Sequence, residues 1–125
     1  LINTIQSRGA HGVNIDFEGV PLSQKTNFTN FMIDLANQMH AAIPGSDVST
    51  VLYAVDWNNV FDIAAMDNYV DHFIIMGYDY YWSGSSTAGP GDPLFHFGTT
   101  YNYTLSKTIT YYLTRTMNIR FALLW

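Results

Sequence analysis

The apolar positions of the 125-residue chain change period several times, and each change marks an element. From Gly12 to Phe17, Val13, Ile15 and Phe17 alternate with Asn14, Asp16 and Glu18, a period of two that describes a strand with one apolar and one acidic face. Between Pro21 and Ile43 the residues Phe28, Phe31, Met32, Leu35, Met39 and Ile43 recur at spacings of three and four. That spacing predicts an amphipathic helix, opened by Pro21 and stopped by Pro44-Gly45. Val48 to Val55 is apolar and β-branched, hence a second, buried strand, and Asn58 to Tyr69 predicts a short helix carrying Val60, Phe61, Ala64 and Ala65. Asp71 to Asp79 is a nearly unbroken apolar run, the form of a strand covered on both faces. A stretch rich in Gly, Ser and Pro, from Tyr80 to about Tyr103, predicts a long loop. After it Leu105, Ile109, Tyr112, Leu113 and Met117 mark another helix, and Arg120 to Trp125 forms a last apolar segment. Leu1 to Arg8 reads as the final turns of a helix stopped by Gly9.

Alternation of strands and helices predicts an α/β fold with a parallel sheet, because parallel strands need crossover helices. A doubly wound sheet and a barrel both satisfy this order. A whole (β/α)8 barrel takes about 250 residues, so this chain matches roughly half of one. No Gly-rich phosphate loop follows a strand, which weighs against a nucleotide-binding sheet. The absence of an initiating Met and the apolar run at the other end predict that residues 1–125 are an internal segment of a single domain.

Composition narrows the partner. With 5 basic against 10 acidic residues, and the basic ones scattered, nothing in the sequence resembles a nucleic-acid or anionic-lipid footprint. No apolar run approaches the roughly 20 residues of a membrane span. Cysteine is absent, so disulfides and thiolate metal sites are excluded while either redox compartment stays open. The histidines His11, His40, His72 and His96 show no ligand spacing, and no metal or cofactor is expected.

The candidate chemistry lies on the acidic strand. Asp16 and Glu18 stand two apart, so both project from one face, and they fall at the carboxyl end, where barrel active sites are built. In an arbitrary protein such a pair is more often a solvated strand end, or caps the helix that follows.

The segment Gly12-Val-Asn-Ile-Asp-Phe-Glu18 resembles the catalytic strand of glycoside hydrolase family 18, whose pattern is Asp-Gly-x-Asp-x-Asp-x-Glu. Met76-Gly-Tyr-Asp79 resembles the same family's Met-x-Tyr-Asp signature, again at a strand end. The resemblance covers essentially the whole chain as part of a (β/α)8 TIM barrel, about strands four to seven. It implies hydrolysis of β-1,4 bonds next to N-acetylglucosamine, in chitin or a related glycan, by substrate-assisted retaining catalysis. Glu18 would protonate the leaving oxygen, Asp16 would orient the substrate's acetamido group, and Tyr78 would donate a hydrogen bond to it. Met76 would line the floor beneath the sugar, and Asp79 would contact the sugar or position Tyr78. The resemblance also implies a secreted or cell-envelope protein.

Two positions depart from the family pattern: His11 and Asn14 stand where the first and second Asp are expected. Asn14, counted with the substrate-binding residues, is expected to donate a hydrogen bond to Asp16 and hold it as a carboxylate. Trp57 and Trp82, each just after a strand, are candidate stacking platforms for sugar rings, though core or loop packing accounts for such residues equally well. The alternatives are a non-catalytic glycan-binding lectin on the same barrel, and an endo-N-acetylglucosaminidase acting on peptidoglycan or N-glycans. The presence of Glu18 with Asp16 and Tyr78 disfavours the lectin, whose usual mark is loss of the acid.

Overall fold

The computed structural model describes residues 1–96, 102–118 and 121–124. Helix α1 (Ile2–Ser7) leads into strand β1 (Gly12–Ile15), and a 3-10 turn (Leu22–Gln24) opens the long helix α2 (Lys25–Ala42). Strand β2 (Asp47–Leu52), helix α3 (Ile63–Met66), strand β3 (His72–Met76), helix α4 (Leu105–Leu113) and strand β4 (Phe121–Leu124) follow. The four strands form one parallel sheet in the order β1-β2-β3-β4, with Asn14 beside Ser49, Val51 beside Ile74, and Met76 beside Leu124. This is the parallel α/β arrangement that the alternation of patterns predicts.

Local chemistry explains where the elements stop. At the end of α1 the amides of Gly9 and Ala10 donate to the carbonyls of Gln6 and Ile5, and Gly9 takes a φ of +66° that side chains disfavour. Helix α2 buries Phe28, Met32, Leu35, Ala36 and Met39, the stripe at spacings of four, three, one and three that a helix presents to a sheet. These side chains join Ile15 of β1, Val48 and Leu52 of β2, and Phe73 and Ile75 of β3 in one core. Phe31 departs from the expected stripe. It lies partly exposed and stacks on Phe17 with ring centroids 5.7 Å apart, so the strand's last aromatic is a surface residue rather than a core one.

The regular elements are shorter than the hydrophobic pattern suggests. The ladder of β1 ends at Ile15, leaving Asp16 and Glu18 in the segment that follows it. The predicted helix from Asn58 to Tyr69 contracts to four residues, because the Asp56 carboxylate accepts from the amides of Val60 and Phe61 and Asn59 sits at φ +51°. Lys25 then holds that loop through its ammonium, which donates to the Asn59 carbonyl at 2.9 Å. Helix α4 is capped by the Thr104 hydroxyl, which accepts from Lys107 N, and it buries Leu105, Thr108 and Tyr112. Met117 lies past its end and is exposed. Beyond α4 the buried Asp67 carboxylate accepts from the Thr116 hydroxyl, the Met117 amide and the Asn118 side chain, fastening the turn that leads to β4. Of the segment expected at 120–125, residues 121–124 form that strand and Arg120 and Trp125 lie outside the described residues.

Gly12 permits the β1–β2 pairing. A Cβ at this position would lie 2.3 Å from the Asp47 carbonyl oxygen, which is backbone and cannot swing aside. The variant Gly12→Ala should therefore destabilise the full-length protein by about 1–3 kcal/mol, read as a lower midpoint in thermal or urea unfolding. An unchanged midpoint would mean that β1 does not pair as described.

Candidate active site

Because all four strands are parallel, their carboxyl ends open on the same edge of the sheet, and the loops leaving them converge there. Between these loops lies an open cavity of about 420 Å³. Glu18 reaches it from the segment after β1, Tyr53 and Trp57 from the segment after β2, and Met76, Tyr78 and Asp79 from the end of β3 and the residues beyond it. Trp82 and Tyr81 of the loop after β3, with Tyr103 ahead of α4, complete its aromatic wall.

Six of the eight residues expected at the site, Glu18, Trp57, Met76, Tyr78, Asp79 and Trp82, thus line one cavity. Asn14, in β1, and Asp16, just past its end, are exposed and are not among the cavity's lining residues. The expected pairing of Asn14 with Asp16 gives way to another. The Asn14 side-chain amide donates to the Ser49 hydroxyl at 3.0 Å, because the parallel register sets these two residues side by side. Alternation explains the outcome, since Asn14 and Asp16 are successive residues on one strand face, whereas Ser49 is the lateral neighbour across the ladder.

The two tryptophans differ in support. Trp57 is 69% exposed and meets the Tyr103 ring edge-on, with centroids 4.6 Å apart. Trp82 is 63% exposed, and its indole covers Gly84, where a Cβ would come within 2.2 Å of the ring. Gly89 approaches the Tyr81 ring in the same way. Gly84 and Gly89 therefore act as flat seats for aromatic rings, a close approach that only the missing side chain permits. Asp79 takes a left-handed φ of +56°, turning the chain sharply after Tyr78, and the next amide, Tyr80 N, donates to the Gly91 carbonyl.

A buried hydroxyl relay ties the cavity walls to α4. The Tyr80 phenol donates to Thr108 Oγ1 at 2.7 Å, Thr108 donates onward to the Ala54 carbonyl at 2.6 Å, and the Tyr112 phenol donates to the Tyr53 carbonyl at 2.8 Å. Burial raises the Tyr80 phenol above its ordinary pKa, with the Thr108 contact opposing, and burial together with the Asp56 charge raises Tyr112 further. Both phenols thus remain neutral donors through the working range of an enzyme. Tyr53, Tyr103 and Thr108 are contributors that the sequence pattern did not single out. Tyr53 fell inside the apolar run of the second strand, and only its position just past the strand's carboxyl end distinguishes it.

The remaining candidates resolve at the opposite edge. His40 Nε2 pairs with Asp71 at 2.8 Å and His72 Nδ1 with Asp47 at 2.6 Å, near the amino ends of β2 and β3. Asp71 also accepts from Val48 N. Among the described residues no three His, Cys, Asp or Glu side chains gather as a metal-binding group, and no helix is long and apolar enough to cross a membrane.

Comparison with known proteins adds the family context. The model of the family described as Glycosyl hydrolases family 18 matches residues 1–122. A candidate sporulation-specific glycosylase of Bacillus subtilis (strain 168), YdhD, is 27% identical over 113 residues, which is 86% of this chain and 26% of that protein. Its crystal structure superposes with a TM-score of 0.79 at 24% identity, covering 98% of this chain and 39% of the solved one. Two chitinases of Ostrinia furnacalis superpose with TM-scores of 0.85. They are the Group II enzyme's catalytic domain 2, at 16% identity, and the Group IV enzyme in complex with allosamidin, at 19%. This chain is covered to 98% in both cases, against 35% and 36% of the chitinase chains. The chain therefore spans about a quarter of the curated relative's length and carries four consecutive strands of a (β/α)8 barrel.

The relay makes a stability prediction. Thr108→Val removes the donor to Ala54 and leaves the buried Tyr80 hydroxyl without its acceptor, and should cost about 1–3 kcal/mol in equilibrium unfolding of the full-length protein. Thr108→Ser keeps the hydroxyl and should recover most of that loss. Equal stabilities for Val and Ser would show the relay to be inert.

Proposed function

The chain belongs to glycosyl hydrolases family 18, and on that premise we propose that its carboxyl-edge cavity hydrolyses β-1,4 bonds next to N-acetylglucosamine in chitin or a related glycan, with Glu18 as the proton donor. The observation that carries this reading is the convergence of Glu18 with Met76, Tyr78 and Asp79 on one cavity, although Glu18 and Met76 stand 58 positions apart. The last residue of one short motif and three residues of a distant one face the same space. Exposed indoles at its rim suit the C–H faces of pyranose rings, and few charges compete for the polar groups of a neutral sugar.

The chemistry divides as follows. Glu18 transfers its proton to the glycosidic oxygen as the bond to the anomeric carbon breaks. The acetamido carbonyl oxygen of the same sugar attacks that carbon and closes an oxazolinium ring, so the substrate supplies the nucleophile. The resulting Glu18 carboxylate then takes a proton from the water that reopens the ring, returning the acid to its starting state. Asp16, outside the cavity lining but two residues from Glu18, accepts from the acetamido N–H and offsets the positive charge that develops there, while Tyr78 donates to the acetamido oxygen. Met76 forms the floor, Asp79 orients Tyr78, and Trp57 and Trp82 hold neighbouring rings. Asn14 supports the strand through Ser49 rather than touching the charge on Asp16. The 125 residues act in this reading as a segment of one catalytic domain, with the protein secreted or in the cell envelope, where such polymers occur.

In hydrolysis of chitooligosaccharides by the full-length protein, Glu18→Gln should lower kcat by about 10²–10⁴ with little change in KM. Asp16→Asn should lower kcat by about 10², in line with loss of one electrostatic stabiliser. A Glu18→Gln variant as active as the native protein would end the assignment of the acid. Native protein that binds these oligosaccharides without cleaving them would mark a lectin on the same scaffold.

A further inference from the structure

The acid proposed above does not stand on the sheet itself. The β1 ladder ends at the Ile15–Thr50 pair, and Glu18 lies three residues further on, in an exposed segment with Gly19 at φ +68°. A general acid in a loose segment would lose much of its efficiency, since proton transfer needs the donor held within hydrogen-bond reach of the leaving oxygen. Two contacts from β2 and its exit bracket the segment. Below it, the buried Thr50 hydroxyl donates to the Ile15 carbonyl at 3.0 Å. Above it, the Val20 amide donates to the Tyr53 phenol oxygen at 3.2 Å. Val20 offers the last backbone N–H before Pro21, which has none, so this contact ties the carboxyl side of Glu18, as the stacking of Phe17 on Phe31 ties its amino side.

Tyr53 is well placed to hold a neighbour because it is itself held. Its carbonyl accepts from the buried Tyr112 phenol at 2.8 Å, and its ring meets Phe61, a core residue, edge-on at 5.0 Å. Tyr53 and Glu18 line the same cavity. We propose that Tyr53 is a positioning residue for Glu18: its phenol oxygen, anchored through α4 and the core, fixes the turn that carries the acid and so sets the acid's place over the substrate. This rests on Glu18 being the proton donor, and it assigns to Tyr53 a role in turnover rather than in sugar binding.

The test compares Tyr53→Phe and Glu18→Gln in the full-length protein, with kcat, KM and the melting temperature measured for each. Phenylalanine keeps the ring and its contact with Phe61 and removes only the acceptor, so the fold should persist. The expected result for Tyr53→Phe is a fall in kcat of about five- to tenfold, the loss of one hydrogen bond's worth of positioning, with KM within about twofold and the melting temperature within about 2 °C. If Glu18→Gln is inactive while Tyr53→Phe keeps native kcat, the positioning role is overturned and the acid assignment stands. A melting temperature lowered by many degrees, with kcat per folded molecule unchanged, overturns it in favour of simple structural support. If Glu18→Gln remains active, the acid assignment itself falls and the role of Tyr53 falls with it.

Discussion

Parallel pairing of the strands is the constraint from which the rest follows. When four neighbouring strands run the same way, their exits lie on one edge, and every loop that can carry chemistry is delivered to that edge. The pairing of β1 with β2 is its tightest point. Gly12 lies against the Asp47 carbonyl with no room for a side chain, and two residues on the Asn14 amide reaches the Ser49 hydroxyl. These contacts fix the height at which β1 ends, and with it the level at which Asp16 and Glu18 leave the sheet.

The two edges of the sheet are built for different purposes. Near the amino ends, histidine–carboxylate pairs and backbone contacts join α2, β2 and β3, so His40 and His72 serve packing. At the carboxyl ends, hydroxyl-to-carbonyl contacts run from α4 to the residues just past β2. Neutral donors suit that place, because a phenol or a threonine holds the backbone without adding a buried charge. The cavity is consequently hydrogen-bonded below and open above, with the exposed rings of Trp57 and Trp82 at the rim.

Much of this was legible in the sequence, and the exceptions have specific causes. The period-two run at Gly12 and the periods of three and four after Pro21 located β1 and α2, because burial of one face leaves a mark that local chemistry does not erase. The short helix after β2 was overstated, since Asp56 and Asn59 compete with helix formation through contacts that hydrophobic patterning does not register. Glu18 was visible through its neighbours on the strand, and Tyr78 through the motif it closes. Tyr53 and Thr108 were not, because their roles come from hydrogen bonds between residues 28 to 59 positions apart. Asn14 was assigned the wrong partner for the same reason, as register across a ladder is a property of two strands and not of one.

In the proposed function Glu18 acts with the substrate's own acetamide, so the anomeric carbon is attacked twice, first by the acetamide oxygen and then by water. Product stereochemistry tests it most directly. When the full-length protein cleaves chitotetraose in an NMR tube, the first product observed should carry the β anomer at its new reducing end, with the α anomer appearing only as mutarotation proceeds, because ring closure and reopening each invert the same carbon. An α anomer formed first would mean a single displacement by water, and would contradict both the role given to the acetamide and the division of labour between Glu18 and Asp16.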